Sequence, residues 1–217
     1  MPNEDDFEIP MHPNDRTDVF KLCLHELGHF LLAQQFGADV QGITIRFTDR
    51  ENFLGHCAMN IVRPLAHTAD IRSYLGDRVC ILMAGTLAEQ MTFDPITLKI
   101  NDVAAWARYA SVAYERSDSS RSDRKKGEEL LRVLLLMDCP PIGQDAAELN
   151  RALTAITASL WERTIGILEE RAPKMFVVAN LMFDEMKFRG VSVEFPTAKL
   201  KQLFETEAED SERPGTF

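Results

Sequence analysis

Several familiar kinds of segment are missing from this 217-residue chain. No run approaches the about 18 uninterrupted apolar residues of a membrane span, and no basic-then-apolar signal segment opens it. There is no GxxxxGK(S/T) loop to cradle a phosphate, so the residues carry no ATPase motor. Its four cysteines (Cys23, Cys57, Cys80, Cys139) form no CxxC pair and sit mostly among apolar neighbours, which predicts reduced, buried thiols. Positive charge is scarce as well. Against 34 acidic residues stand 24 basic ones, a net charge of −10 that argues against a nucleic-acid partner. Together these absences predict a cytoplasmic protein with no membrane span.

What is present suits one globular domain: 45% hydrophobic and 27% charged residues are ordinary proportions for a folded chain. Part of the acidity is terminal. Glu4, Asp5, Asp6 and Glu8 belong to a polar leader over residues 1–14, and Glu207, Glu209, Asp210 and Glu212 to an acidic tail over 207–217. No internal repeat is visible.

The chemistry concentrates in His25-Glu26-Leu27-Gly28-His29, inside an apolar segment from Val19 to Phe36. On a helix, two histidines four residues apart project from one face, where both imidazoles reach a single Zn²⁺ at about 2.0–2.1 Å. Glu26 stands about 100° round the helix from His25, placed to take a proton from a water beside the metal. That is the mechanical content of HExxH. The surroundings support a helix over residues 15–36: Asn14 and Asp15 are capping residues, Gly37 a stop, and Phe20, Leu24, Leu27, Leu31 and Leu32 a stripe for burial. The competing reading, a core helix with two incidental histidines, would bury three polar side chains without a partner.

Further along, Val40–Phe47 and Leu54–Val62 read as strands, the second a candidate edge for an extended peptide. Thr68 caps a helix running to Met91, and Asn101 or Asp102 begins another. Residues 117–127 are a serine- and charge-rich break, followed by helices near 128–137, 144–171 and 174–189 that are separated by Cys139-Pro140-Pro141 and Pro173. A short strand or loop and a small helix at 197–206 close the domain. The element pattern is mainly α with a small β element, an α+β fold: a core over 15–116 and a C-terminal helical part over 128–206.

A catalytic zinc needs a third protein ligand and an open position. The candidates are His12, His56, His67, Glu89, Asp94 and Asp102. His12 lies in the leader, His56 on a strand, and His67 just ahead of a helix. Glu89, in an apolar helix, is suited either to orient a ligating histidine or to sit at the surface where that helix ends.

HELGH, then MAGTLAEQMTF, then INDVAAWARYAS resembles the peptidase domain of the FtsH/paraplegin family of AAA zinc proteases, with its HEAGH, GGRAAEE-like and NDxxxATxxAR helices. The resemblance spans residues 15–116 and, more weakly, 144–196. It implies a zincin-like metallopeptidase with a C-terminal helical bundle, Zn²⁺ held by His25, His29 and Asp102, and Glu26 as general base. It aligns Glu89 with the first Glu of the AEE pattern. Leu27 replaces the family's Ala, and Thr86-Leu87 replaces Arg-Ala or Arg-Val. Without the family's ATPase and membrane segments, the expected activity is ATP-independent cleavage of unstructured polypeptide, or of protein delivered by a separate ATPase. The alternative is a non-proteolytic zinc-binding adaptor.

Overall fold

A computed structural model describes residues 9–49, 52–117, 120–138 and 145–210. Six α-helices dominate it: α1 (Arg16–Gln35), α2 (Thr68–Glu89), α3 (Val103–Arg116), α4 (Arg121–Asp138), α5 (Ala146–Glu185) and α6 (Thr197–Asp210). The strands are β1 (Ile9–Pro10), β2 (Asp39–Phe47), β3 (Phe53–Asn60), β4 (Phe188–Arg189) and β5 (Ser192–Pro196). β2, β3 and β5 form an antiparallel sheet in the order β3-β2-β5, and β1 pairs with β4. β3 is therefore an edge strand, as its sequence predicts.

The helix with the two histidines is central. Leu24, Leu27, Phe30 and Leu32 are buried, and so are His25, Glu26 and His29, so α1 has no solvent face over this stretch. It packs between the inner face of the sheet (Ile43, Ile45, Phe47, Phe195) and the apolar sides of α2 and α5 (Val79, Met83, Leu87, Leu168, Met175, Val178). Gly28 lets α1 and α2 close together. A Cβ there would stand 2.4 Å from the Ala84 carbonyl oxygen, far inside van der Waals contact. Cys23, Cys57 and Cys80 are buried free thiols; Cys139 lies outside the described residues, as do residues 1–8 of the leader and 211–217 of the tail.

Capping departs from expectation in detail. Asp15 is the N-cap of α1, but its carboxylate bonds Arg189 Nε at 2.7 Å and the His12 amide at 3.0 Å instead of the helix. His67, not Thr68, precedes α2, and Asp70 reaches back to its amide at 2.8 Å. Two larger corrections concern helix limits. Pro173 does not divide the C-terminal region, because α5 runs unbroken through it. A proline forfeits one backbone hydrogen bond, and the fully buried Leu168, Ala172, Met175 and Val178 hold both sides of it against the core. Nor is the polar segment 117–127 a loop throughout, since α4 starts at Arg121. Among the described residues no helix is long and apolar enough to cross a membrane.

Candidate metal centre

α1 presents His25 and His29 one turn apart, and α2 fixes both rings from behind. His25 Nδ1 lies 3.0 Å from Glu89 Oε2, and His29 Nδ1 lies 2.7 Å from the Ile81 carbonyl oxygen. The Ile81 carbonyl can only accept, so His29 carries its proton on Nδ1; the Glu89 carboxylate selects the same tautomer for His25. Both Nε2 atoms are then acceptors, and they face each other at 3.1 Å. Two lone pairs at that distance repel unless a proton or a cation lies between them.

The third group is Asp123, from the first turn of α4. Its Oδ2 is 3.0 Å from His29 Nε2 and 3.5 Å from His25 Nε2. Ligand atoms of His25, His29 and Asp123 lie within 4.8 Å of one another. Two imidazoles and a carboxylate, with both rings oriented from behind, are a group that could hold a metal ion. Space for the pair is kept by Gly85, where a Cβ would lie 2.5 Å from His29 Nε2 and 2.6 Å from His25 Nε2.

The electrostatics of the cluster favour positive charge on His25 and negative charge on Asp123. Burial disfavours a charged His25, but its hydrogen bonds to Asp123 and Glu89 and the negative Glu26 outweigh that and raise its pKa to about 10. Burial likewise opposes ionisation of Asp123, and the two histidines reverse this, holding its carboxyl far below the usual range. Without metal the cluster binds a proton where a metal ion would bring its own charge.

Glu26 leaves α1 on the side of the sheet. Its carboxylate lies against Gly55 of β3, where a Cβ would approach Oε1 to 2.2 Å. Among the described residues it makes no hydrogen bond or ion pair, and it lines the cavity. Burial first, and the charge of Glu26 second, push the Cys23 and Cys57 thiols well above their ordinary range. Neither is therefore a ready nucleophile or ligand. The cavity is an open groove of about 1410 Å³ between α1, α2, α4 and the length of β3.

Of the residues the sequence nominates, the structure brings His25, Glu26, His29 and Glu89 together. It does not bring Asp102 into the group. That residue is exposed and is the N-cap of α3, its Oδ1 accepting from the Ala105 amide at 2.9 Å. An Asp one residue before a helix satisfies the free amides of the first turn. His12 caps its own short turn, accepting from the Asn14 amide at 3.1 Å, and His67 lies at the start of α2. His56 is exposed and alternates with Gly55 and Cys57 along β3; it lines the same groove but is not part of the converging group. Asp94 binds the amides of Ile96 and Thr97 in its own turn.

Asp123 is the residue that sequence reasoning missed. A signal existed: Ser120, Gly127, Leu131 and Leu134 are buried at helical spacing, and extending that stripe back through the serine-rich stretch includes position 123. The start of α4 is anchored on α3, with the fully buried Ser120 hydroxyl 3.1 Å from the Ser117 carbonyl and Arg124 Nη1 donating to the Tyr114 carbonyl at 3.1 Å. No protein-family model matches the chain, and no curated protein matches it at a significant level.

Proposed function

We propose that this protein is a metal-dependent endopeptidase, with zinc held by His25, His29 and Asp123 and polypeptide cleaved in the groove beside β3. One observation carries the reading: Glu26, without a partner of its own, lies beside three converging ligand atoms and against an unpaired strand edge. Zinc supplies Lewis acidity, polarising a carbonyl and acidifying a nearby water. The chain's residues supply the rest. Glu26 accepts the proton of the attacking water and returns it to the leaving amine. Glu89 and the Ile81 carbonyl hold the imidazoles in the tautomer that binds metal. The free N–H and C=O groups of β3 hold an extended substrate, whose main chain adds to the sheet as another strand. Gly55 is then functional as well as structural, because a side chain there would displace the Glu26 carboxylate. The resemblance of HELGH and its following helix to FtsH-type peptidases agrees with this assignment, with the third ligand moved from Asp102 to Asp123.

The test is cleavage of an unfolded protein such as casein by zinc-loaded protein, with Glu26→Gln alongside. The expected result is cleavage in the parent and a loss of about 10²–10⁴-fold in the variant, at equal zinc content. Zinc bound in both with cleavage by neither would favour a metal-binding adaptor.

A further inference from the structure

Among the described residues, the groove is lined by one arginine, Arg78, that has no partner. α2 turns a single face to the cavity: Glu89 beside His25, Gly85 against both imidazoles, Ile81 at His29, then Leu82 and Arg78. These positions recur at three and four residues, so Arg78 belongs to the same face as the metal ligands' supports. Arg78 is half-buried, and among the described residues it has no hydrogen-bond, ion-pair or ring partner. The contrast with its neighbourhood is sharp. Arg63 and Arg163 both bind Asp77, the residue just before Arg78, and each also lies over a ring, Tyr74 and Phe36 respectively. Each carboxylate oxygen of Asp77 has an arginine within ion-pair distance, Arg63 at Oδ2 and Arg163 at Oδ1. The acidic residues that line the groove with Arg78 are Asp18, Glu26, Glu89 and Asp123, and none is within ion-pair distance of it.

Its place along the groove follows from the same contacts. Glu89 meets His25 and Ile81 meets His29, so α1 and α2 run antiparallel and Arg78 lies beyond His29. Arg63, three residues past the end of β3, reaches Asp77. Arg78 therefore stands at the Met59–Asn60 end of the groove, while Asp18 and Lys21, on the first turns of α1, mark the other. Seven residues of helix separate Arg78 from Gly85, about 10 Å of rise. An extended chain covers that length in about three residues.

We propose that Arg78 is a carboxylate-binding subsite that selects polypeptides carrying a negative charge about three residues from the bond at the metal. A guanidinium offers a fixed fork of donors matched to a carboxylate, and a half-buried one without an internal partner gains most from that pairing. The charge belongs either to a Glu or Asp side chain or to the chain's terminal carboxylate, and one chemistry serves both. Lys126, exposed on α4 one turn beyond Asp123, adds a second cation to the groove lining. The inference rests on the peptidase reading for its substrate class.

The experiment uses zinc-loaded full chain and a set of fluorescent peptides identical except for one residue. In that set Glu or Gln is placed in turn at each position within four of the cleaved bond, with the C-terminus free or amidated. The expected result is a kcat/KM for one Glu position about tenfold or more above its Gln partner, seen in KM and not in kcat. In Arg78→Gln that ratio falls to about one, and Arg78→Lys restores part of it. A free C-terminus preferred over the amide, with no internal position favoured, assigns the charge to the terminal carboxylate. A Glu/Gln ratio near one in the parent, or a ratio unchanged in Arg78→Gln, overturns the proposal. The same ratio read as peptide affinity of zinc-loaded Glu26→Gln protein keeps the two claims apart. Charge-selective binding lost in Arg78→Gln supports the subsite even if the parent cleaves nothing, a result that would count against the peptidase reading alone.

Discussion

The middle and the C-terminal end of α2 each bury a polar cluster, and they are built on opposite plans. In the middle Asp77 lies between Arg63 Nη1 at 2.7 Å and Arg163 Nη1 at 2.8 Å, so its charge is answered twice within the protein. At the C-terminal end the two imidazoles present acceptors to each other and to the Asp123 carboxylate. The first cluster has its charge paired within the protein, although Asp77 Oδ1 and Arg63 Nη2 make no hydrogen bond among the described residues, and it joins the chain after β3 and the middle of α5 to α2. The second has surplus acceptors, which a proton or a metal ion can answer. Burial alone does not separate the two, since Asp77, His25 and His29 are all inside. The signs of the facing groups do. A cluster whose donors and acceptors cancel is structural, and a cluster with surplus acceptors is a place for a ligand.

This difference sorts the expected effects of substitution. Asp123→Ala should bring the largest: loss of bound zinc on dialysis, exceeding the about 10–100-fold that loss of a supporting hydrogen bond costs, with a small change in the melting temperature of the metal-free protein. Gly85→Ala comes next, because its methyl group would press on both ring nitrogens at 2.5–2.6 Å; zinc retention should fall sharply, and metal titration followed by calorimetry reads it. Glu89→Gln should weaken zinc about 10–100-fold while leaving one ion per chain at saturation. Asp77→Ala should do the reverse. It should lower stability by about 2 kcal/mol, discounted from the usual cost of a broken buried pair because both arginines are partly exposed, with zinc affinity unchanged. The smallest effect belongs to Asp102→Ala, about 1 kcal/mol for a lost helix cap and no change in metal. Urea unfolding monitored by circular dichroism distinguishes these last two from the metal-site variants. Equal loss of zinc from the Asp77 and Asp123 variants would erase the distinction between the clusters.

Much of this arrangement is legible in the sequence because it is local. HExxH fixes its own geometry once the segment is helical, and the glycine stop and apolar stripe make it so. The alternation in Val40–Phe47 announces β2, and the fold class follows from a motif helix, two strands and a run of helical patterns. Glu89 was recognisable as an acid in an apolar helix, and the structure places it on His25. What escaped is what depends on tertiary packing. Asp102 has the local features of a ligand-bearing helix start, yet the same features make a cap, and only the packing of α3 decides between them. Asp123 is hidden in a segment whose serines and charges read as a break. Its role depends on α4 starting early and docking through Ser120 and Gly127, which no short window of sequence shows. Pro173 misleads for the same reason: propensity argues for a break, and a buried helix on both sides overrides it.

The most direct test is zinc stoichiometry after exhaustive dialysis for the parent, Asp123→Ala and Asp102→Ala, measured side by side by mass spectrometry. One ion per chain in the parent and in Asp102→Ala, with none in Asp123→Ala, is the predicted result. Zinc retained by Asp123→Ala and lost from Asp102→Ala would contradict the site described here and return the third ligand to α3.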